Sequence, residues 1–338
     1  MNASNASAPL ITPVNVFHDT GLLIFGILAI LGNSAIVWVV WRFNEMRKQD
    51  CSELLACLGV ADFSLGVTCV AVAIIRLLPS IFDIRSHSKG FCIPFLIGMF
   101  TTMHWTQLAM LGVAVDRLWA IAAPTHYFAA NRRRVTLAYA ALAAMLGLIG
   151  GWTTMVAVDL GQATHPRCLG PAVSTPEWIY YFNFILLFLS VLVMACYVLM
   201  LALMHCRGQQ TQNASALERA VSEKKVTATL LPVLAGFALF SFVPNAAFYI
   251  AMYTAPFSII RMLGPFIPLG CVVNSSINVF IYFVKHETFR RCCLRGLGWQ
   301  ANSVSAVTTT GQVSKSHRKS TTVAIVPAQP QSPPGALA

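Results

Sequence analysis

Charge is scarce in this sequence: Asp, Glu, Lys and Arg make up only 10% of its 338 residues. Soluble domains carry about 25%, so the chain lacks the polar surface that a water-facing fold requires. Acidic residues are the scarcer kind, 12 against 23 Lys and Arg. No Cys-x-x-Cys pair and no His/Cys cluster at metal spacing occurs, which argues against zinc and haem sites. The apolar runs hold neither His-Glu-x-x-His nor Gly-x-Ser-x-Gly, so no catalytic activity of an intramembrane enzyme is expected. No repeated halves or matching broken helices suggest a transporter. Residues 1–20 have no basic start and no apolar core. A cleavable signal peptide is therefore not expected, and the first apolar run should direct membrane insertion.

What the chain has in abundance is apolar sequence, 57% of its residues, gathered into long separate runs. Seven are readable: Gly21–Trp41, Ser52–Leu78, Cys92–Ala122, Val135–Val158, Trp178–Met204, Val226–Tyr253 and Ile259–Phe283. Each is long enough to cross about 30 Å of hydrocarbon as a helix. Barrel strands would instead alternate over about ten residues. The fold class is thus an all-α membrane protein, a seven-transmembrane helix bundle in a lipid bilayer. The domains expected are a tail over 1–20, the bundle over 21–284, an amphipathic helix over 285–299 and a disordered tail over 300–338. The last is rich in Ser, Thr, Pro, Gly and Ala.

The basic residues fall between the runs, not in a nucleic-acid-binding patch. Arg42, Arg47 and Lys48 follow the first run, Arg132–Arg134 the third, Arg219, Lys224 and Lys225 the fifth, and Lys285, Arg290, Arg291 and Arg295 the seventh. The N-terminal tail has no Lys or Arg. The positive side is cytoplasmic, which places the N-terminus outside, in the plasma membrane. Asn2-Ala3-Ser4 and Asn5-Ala6-Ser7 on that tail match the glycosylation pattern. Cys92 and Cys168 are the two cysteines expected on the oxidising side, and a disulfide between them would pin the loop after the fourth span. Cys292 and Cys293, on a basic amphipathic stretch after the seventh span, are candidates for palmitoylation.

Asp62 sits ten residues into the second run, where a charge costs about 2.5–3.5 kcal/mol or more. Asn33, Thr106, Asn274, Ser275 and Asn278 are polar residues of other spans that can join it. Such a set of oxygens can hold a small cation, water or a proton, or bind helices together. Asp116-Arg117 closes the third run, and Pro244 should kink the sixth.

Taken in order, these landmarks resemble the rhodopsin-like family of G-protein-coupled receptors. The likeness rests on Gly32-Asn33, Leu58-Gly59-Val60-Ala61-Asp62, Cys92, Asp116-Arg117-Leu118, Phe240-Ser241-Phe242-Val243-Pro244, Asn274 to Tyr282, and Phe289-Arg290. The resemblance implies that Arg117 engages a heterotrimeric G protein when the sixth helix swings outward, with Asp116 restraining it at rest. It implies that Asn278 and Tyr282 act as a switch, and that Asn33, Asp62, Thr106, Asn274, Ser275 and Asn278 lie at or beside an allosteric sodium pocket. Apart from that ion no cofactor is expected. An arrestin-like partner would bind the phosphorylated tail, and an extracellular ligand would lie among Met99, Phe100, Met103, His104, Phe242, Asn245 and Tyr249. Leu118, Val279, Phe242 and Lys224 depart from the family pattern. Those departures are similar to chemoreceptor-like branches expanded in nematodes, or to orphan peptide-type receptors. Met99 and Val272 occupy the positions where amine receptors and opsins carry Asp and Lys, which points away from both. A small hydrophobic ligand or chemosensory cue fits the apolar lining; a channel is the remoter alternative.

Overall fold

The computed structural model describes residues 13–47, 52–82, 84, 86–164, 167–210 and 231–299. The glycosylation sites at Asn2 and Asn5, the basic loop at Arg219–Lys225 and the tail from residue 300 lie outside them. Long helices dominate. We number them α1 Pro13–Arg42, α2 Ser52–Phe82, α3 Lys89–Ala122, α4 Arg132–Trp152, α5 Pro176–Gln210, α6 Leu231–Thr254 and α7 Phe266–Lys285. A shorter α8, Glu287–Gly296, follows α7.

Among the described residues six helices are long and apolar enough to span a membrane on composition alone. The exception is α3, which at 34 residues has the length but carries a polar middle. Its Thr101, Thr102, His104, Thr106 and Gln107 are all buried, because α3 packs against α2, α4 and α5 and meets protein, not lipid. In contrast α4 turns Leu137, Leu142, Met145, Leu148 and Ile149 outward. Such an apolar exterior is the signature of a lipid-facing helix.

Close approach of α1 and α2 depends on a pair of small residues. A Cβ added to Gly66 would lie 2.8 Å from the Gly26 carbonyl, and one on Gly26 would lie 3.1 Å from the Gly66 carbonyl. Only glycine lets two helix backbones meet so closely, a common device in membranes where dispersion drives packing.

Two boundaries differ most from the sequence expectation. Helix α1 begins by Pro13, so residues 13–20 belong to the bundle and not to the tail. The reason is that Asp19 is neutralised by partners on other segments, as shown below. The seventh run does not start at Ile259: that residue lies in a separate helix, Phe257–Leu263, and α7 begins at Phe266. Pro265 lies between them and has no N–H to continue the helical ladder.

Candidate ligand cavity and switch residues

The Cys92–Cys168 disulfide is present, with Cα atoms 5.1 Å apart, and fastens the loop after α4 to the start of α3. Strand β1, His87–Ser88, pairs antiparallel with β2, Ala163–Thr164, in the same loop. The loop then forms a short helix, Gly170–Val173, whose N-terminal half covers a cavity of about 350 Å³. That volume falls within the range of small-molecule sites. Met99, Phe100 and Met103 of α3 line it, with Trp178, Phe182 and Asn183 of α5, Phe248 of α6 and Pro265, Ile267 and Pro268 of the α6–α7 corner. Phe100, Trp178 and Phe182 pack ring against ring at 4.5 to 5.1 Å between centroids.

Four of the residues expected at the ligand lie outside this cavity. His104 turns toward α4, where a Cβ on Gly150 would lie 3.2 Å from its Nδ1, and that nitrogen pairs with the Phe100 carbonyl at 2.9 Å. Phe242 packs in the lower core. Asn245 donates to the Ser241 carbonyl at 2.9 Å. Tyr249 stacks edge-on against Tyr253 near the outer surface of α6. Phe242, Asn245 and Tyr249 lie in or after the irregular stretch of α6 described next, whereas His104 lies on the regular α3.

Pro244 does distort α6. The five residues Ala238–Phe242 form a π-turn, with the Val243 N–H reaching back to the Ala238 carbonyl. Pro244 has no N–H to give to the Phe240 carbonyl four residues earlier. That carbonyl instead presses on α7, where a Cβ on Gly270 would lie only 2.1 Å from it. On the other side Gln107 of α3 donates to Ser241 Oγ at 2.6 Å. The kink is thus held between α3 and α7. The sequence reading missed Gln107, Ser241 and Gly270, whose roles exist only across helices.

Below it, Ser275 donates to Asp62 Oδ1 at 2.8 Å. Asp62 Oδ2, Thr106 Oγ1 and Asn278 Nδ2 are buried without a hydrogen-bond partner among the described residues. Asn33 is turned aside, donating to Ala29 and Ser275 carbonyls and so tying α1 to α7. Asn274 directs its Oδ1 toward Gly236 of α6. Near the far end, Arg117 Nε stands 3.9 Å from Asp116 Oδ2, and Tyr127 donates to the same oxygen at 3.2 Å. Tyr282 is half-buried near α8.

Cys292 and Cys293, the candidates for palmitoylation, lie on the inner side of α8. They are 0% and 8% exposed, packed with Phe289 against Ile36, Val39 and Leu55. The apolar face of α8 packs against α1 and α2, and burial pushes the Cys293 thiol up to about 11. A buried, protonated thiol is a poor acyl acceptor. Between α7 and α8, His286 Nδ1 accepts the Phe289 N–H at 3.3 Å. This cap needs the neutral ring, and burial and the Arg117 charge hold its pKa below the usual value.

One polar cluster near the cavity was not anticipated. Asp19 of α1 is ion-paired with Arg167 of the loop and hydrogen-bonded to His18 Nδ1 at 3.0 Å. His18 Nε2 faces the Pro265 carbonyl at 2.5 Å. Arg76 of α2 stands 3.8 Å from Asp19 and lines the cavity. All four residues are at most 4% exposed.

Comparison with known proteins decides the family. The model of the 7 transmembrane receptor (rhodopsin family) matches residues 32–282. The chain belongs to that family. The receptor is 26% identical to dog adenosine receptor A3 over 312 residues, 86% of this chain and 93% of that protein. It is 25% identical to the sheep A3 receptor over 83% of this chain and 89% of that one. With chicken adenosine receptor A2b it shares 26% identity over 66% and 70%. It is therefore a multi-pass membrane protein of the G-protein-coupled receptor class, and the seven-helix fold read from its apolar runs is the family's fold.

Proposed function

We propose that this receptor lies in the plasma membrane with its N-terminus outside. It binds a small, largely apolar ligand in the cavity beneath the Cys92–Cys168 loop. Binding favours a conformation in which α6 pivots at its π-turn, and Arg117 then leaves Asp116 to meet the G protein. The reading follows the positive-inside distribution of Lys and Arg and the general logic of population shift, in which the ligand must bind the signalling state more tightly. The observation that carries it is the irregular α6, clamped between Gln107 and Gly270 at a level between the cavity and Arg117. The proposal takes the receptor class from its relatives and not their ligand. Apart from Arg76 and Asn183 the cavity wall is apolar or aromatic, and a polyhydroxylated ligand would find few partners there.

The unpaired oxygens of Asp62 and Thr106 beside Ser275 and Asn278 suit a sodium ion, a hard cation that favours oxygen ligands. Bound there it would hold α2, α3 and α7 together. Replacing choline by sodium should raise the melting temperature of the purified receptor, and Asp62→Asn should remove that difference. An equal melting temperature in both salts would reject the ion. Ser303, Ser305, Thr308–Thr310 and Ser320–Thr322 would accept phosphate for an arrestin-like partner. Arg117→Ala is expected to lower nucleotide exchange on the G protein at least about fivefold, a usual scale of coupling, with surface expression unchanged. Lost expression with normal exchange per receptor would make Arg117 structural.

A further inference from the structure

Arg76 is 3% exposed, deep at the wall of an otherwise apolar cavity. Its Nε and Nη1 have no hydrogen-bond partner among the described residues. A guanidinium is always charged and offers five donors, and burial of such a group with open donors needs a reason. Asp19 does not supply it. Its Oδ1 is held by His18 at 3.0 Å and its Oδ2 by Arg167 at closer range, while Arg76 stands 3.8 Å off. That distance allows attraction but no hydrogen bond. The rest of the cavity lining holds no carboxylate, and Asn183 is its one other polar side chain.

We propose that the ligand is an amphipathic acid, with its anionic group, a carboxylate or similar oxyanion, on Arg76 and its apolar body against Met99, Phe100 and Phe182. This deepens the proposed function and rests on its ligand cavity. A turn of the Arg76 side chain toward the cavity it lines would bring its donors onto the anion, in a dry site where a charge-assisted bond is strongest. A cationic ligand would meet the guanidinium with no carboxylate to spare, since Asp19 is engaged by nearer donors. An apolar molecule without charge would fill the cavity and leave Arg76 as it stands.

The test uses the full chain in nanodiscs of zwitterionic lipid. Straight-chain carboxylates of about six to twelve carbons are compared with alcohols and amines of equal length, reading the shift in melting temperature against concentration. Matched chains partition alike into lipid, so a difference reports the head group. At least one carboxylate should stabilise the receptor at about tenfold lower concentration than its alcohol, the scale of a hydrogen bond to a charged group, and amines should be weaker still. Arg76→Gln should bring the acid down to the alcohol, and Arg76→Lys should retain part of the preference because it keeps the charge without the planar fork. If Arg76→Gln does not fold, Arg76→Met, which keeps the apolar stem and leaves the Asp19–Arg167 pair intact, serves the same comparison. A short optimum would mark a water-borne acid and a long one a membrane-borne fatty acid; both support the proposal. Alcohols equal to acids, a preference that survives in Arg76→Gln, or no shift from any chain would overturn it. Acid binding without nucleotide exchange would defeat the receptor mechanism and leave the ligand class standing. Exchange driven by a neutral ligand at equal potency in Arg76→Gln would do the reverse.

Discussion

Asp19→Asn should strip the surface of most receptor and lower the melting temperature of what remains more than any other single change outside the disulfide. The side chain is 2% exposed and balances guanidiniums from two other segments, Arg76 of α2 and Arg167 of the loop after α4. Removing one partner of a buried pair leaves the other charge uncompensated, at a cost of roughly 3–5 kcal/mol. Total stabilities are only about 5–15 kcal/mol, so the loss is a large part of the whole. Asp19→Asn combined with Arg76→Met should recover part of it, because replacing both members by uncharged groups is far less harmful than breaking the pair. The double variant is therefore expected to melt above the single one, as read by thermal unfolding in nanodiscs. A single variant as stable as the parent would show that the cluster is solvated and not part of the bundle.

Gly270→Ala is the second large effect. The new Cβ would lie 2.1 Å from the Phe240 carbonyl oxygen, a backbone atom that cannot swing aside as a side chain does. Helix α6 must then move off α7, and overpacking of this kind costs about 1–3 kcal/mol. The same carbonyl is out of the ladder because Pro244 cannot donate to it. Pro244→Ala returns an N–H at that position and should let α6 wind regularly, drawing the carbonyl away from α7. Gly270→Ala should therefore be much less damaging in a Pro244→Ala background, a non-additivity that a double-mutant cycle measures directly. Independent, additive losses would separate the π-turn from the glycine.

These two sites show where the sequence could be read and where it could not. Apolar runs announce membrane helices because the bilayer imposes their length and composition. Even α3 was legible by length, although its Thr101, Thr102, Thr106 and Gln107 mark it as the helix surrounded by other helices. The start of α1 was misjudged because Asp19 argues against a span when considered alone. Its partner was nevertheless within reach of reasoning: α1 and α2 run in opposite directions, so Asp19 and Arg76 must lie near the same face of the membrane. Opposite charges at facing ends of successive spans were the overlooked signal.

The π-turn was only half legible. Pro244 announces a distortion, but its direction depends on Gly270 and Gln107, which are distant in sequence. That irregular turn also explains why Phe242, Asn245 and Tyr249 missed the cavity while Met99, Phe100 and Met103 of the regular α3 line it. The amphipathicity of α8 was plain, yet an apolar face does not say whether lipid or protein will cover it. Here α1 and α2 do so, and Cys292 and Cys293 are inside.

In the proposed function this bundle transmits a signal from the cavity to a G protein. Its most direct measurement is guanine-nucleotide exchange on a panel of purified heterotrimeric G proteins, with the receptor in nanodiscs and an amphipathic acid series as ligand. Exchange should rise with ligand concentration on at least one G protein and fall away in Arg117→Ala. Exchange that stays at the receptor-free rate for every G protein, despite ligand that measurably binds the cavity, would contradict it.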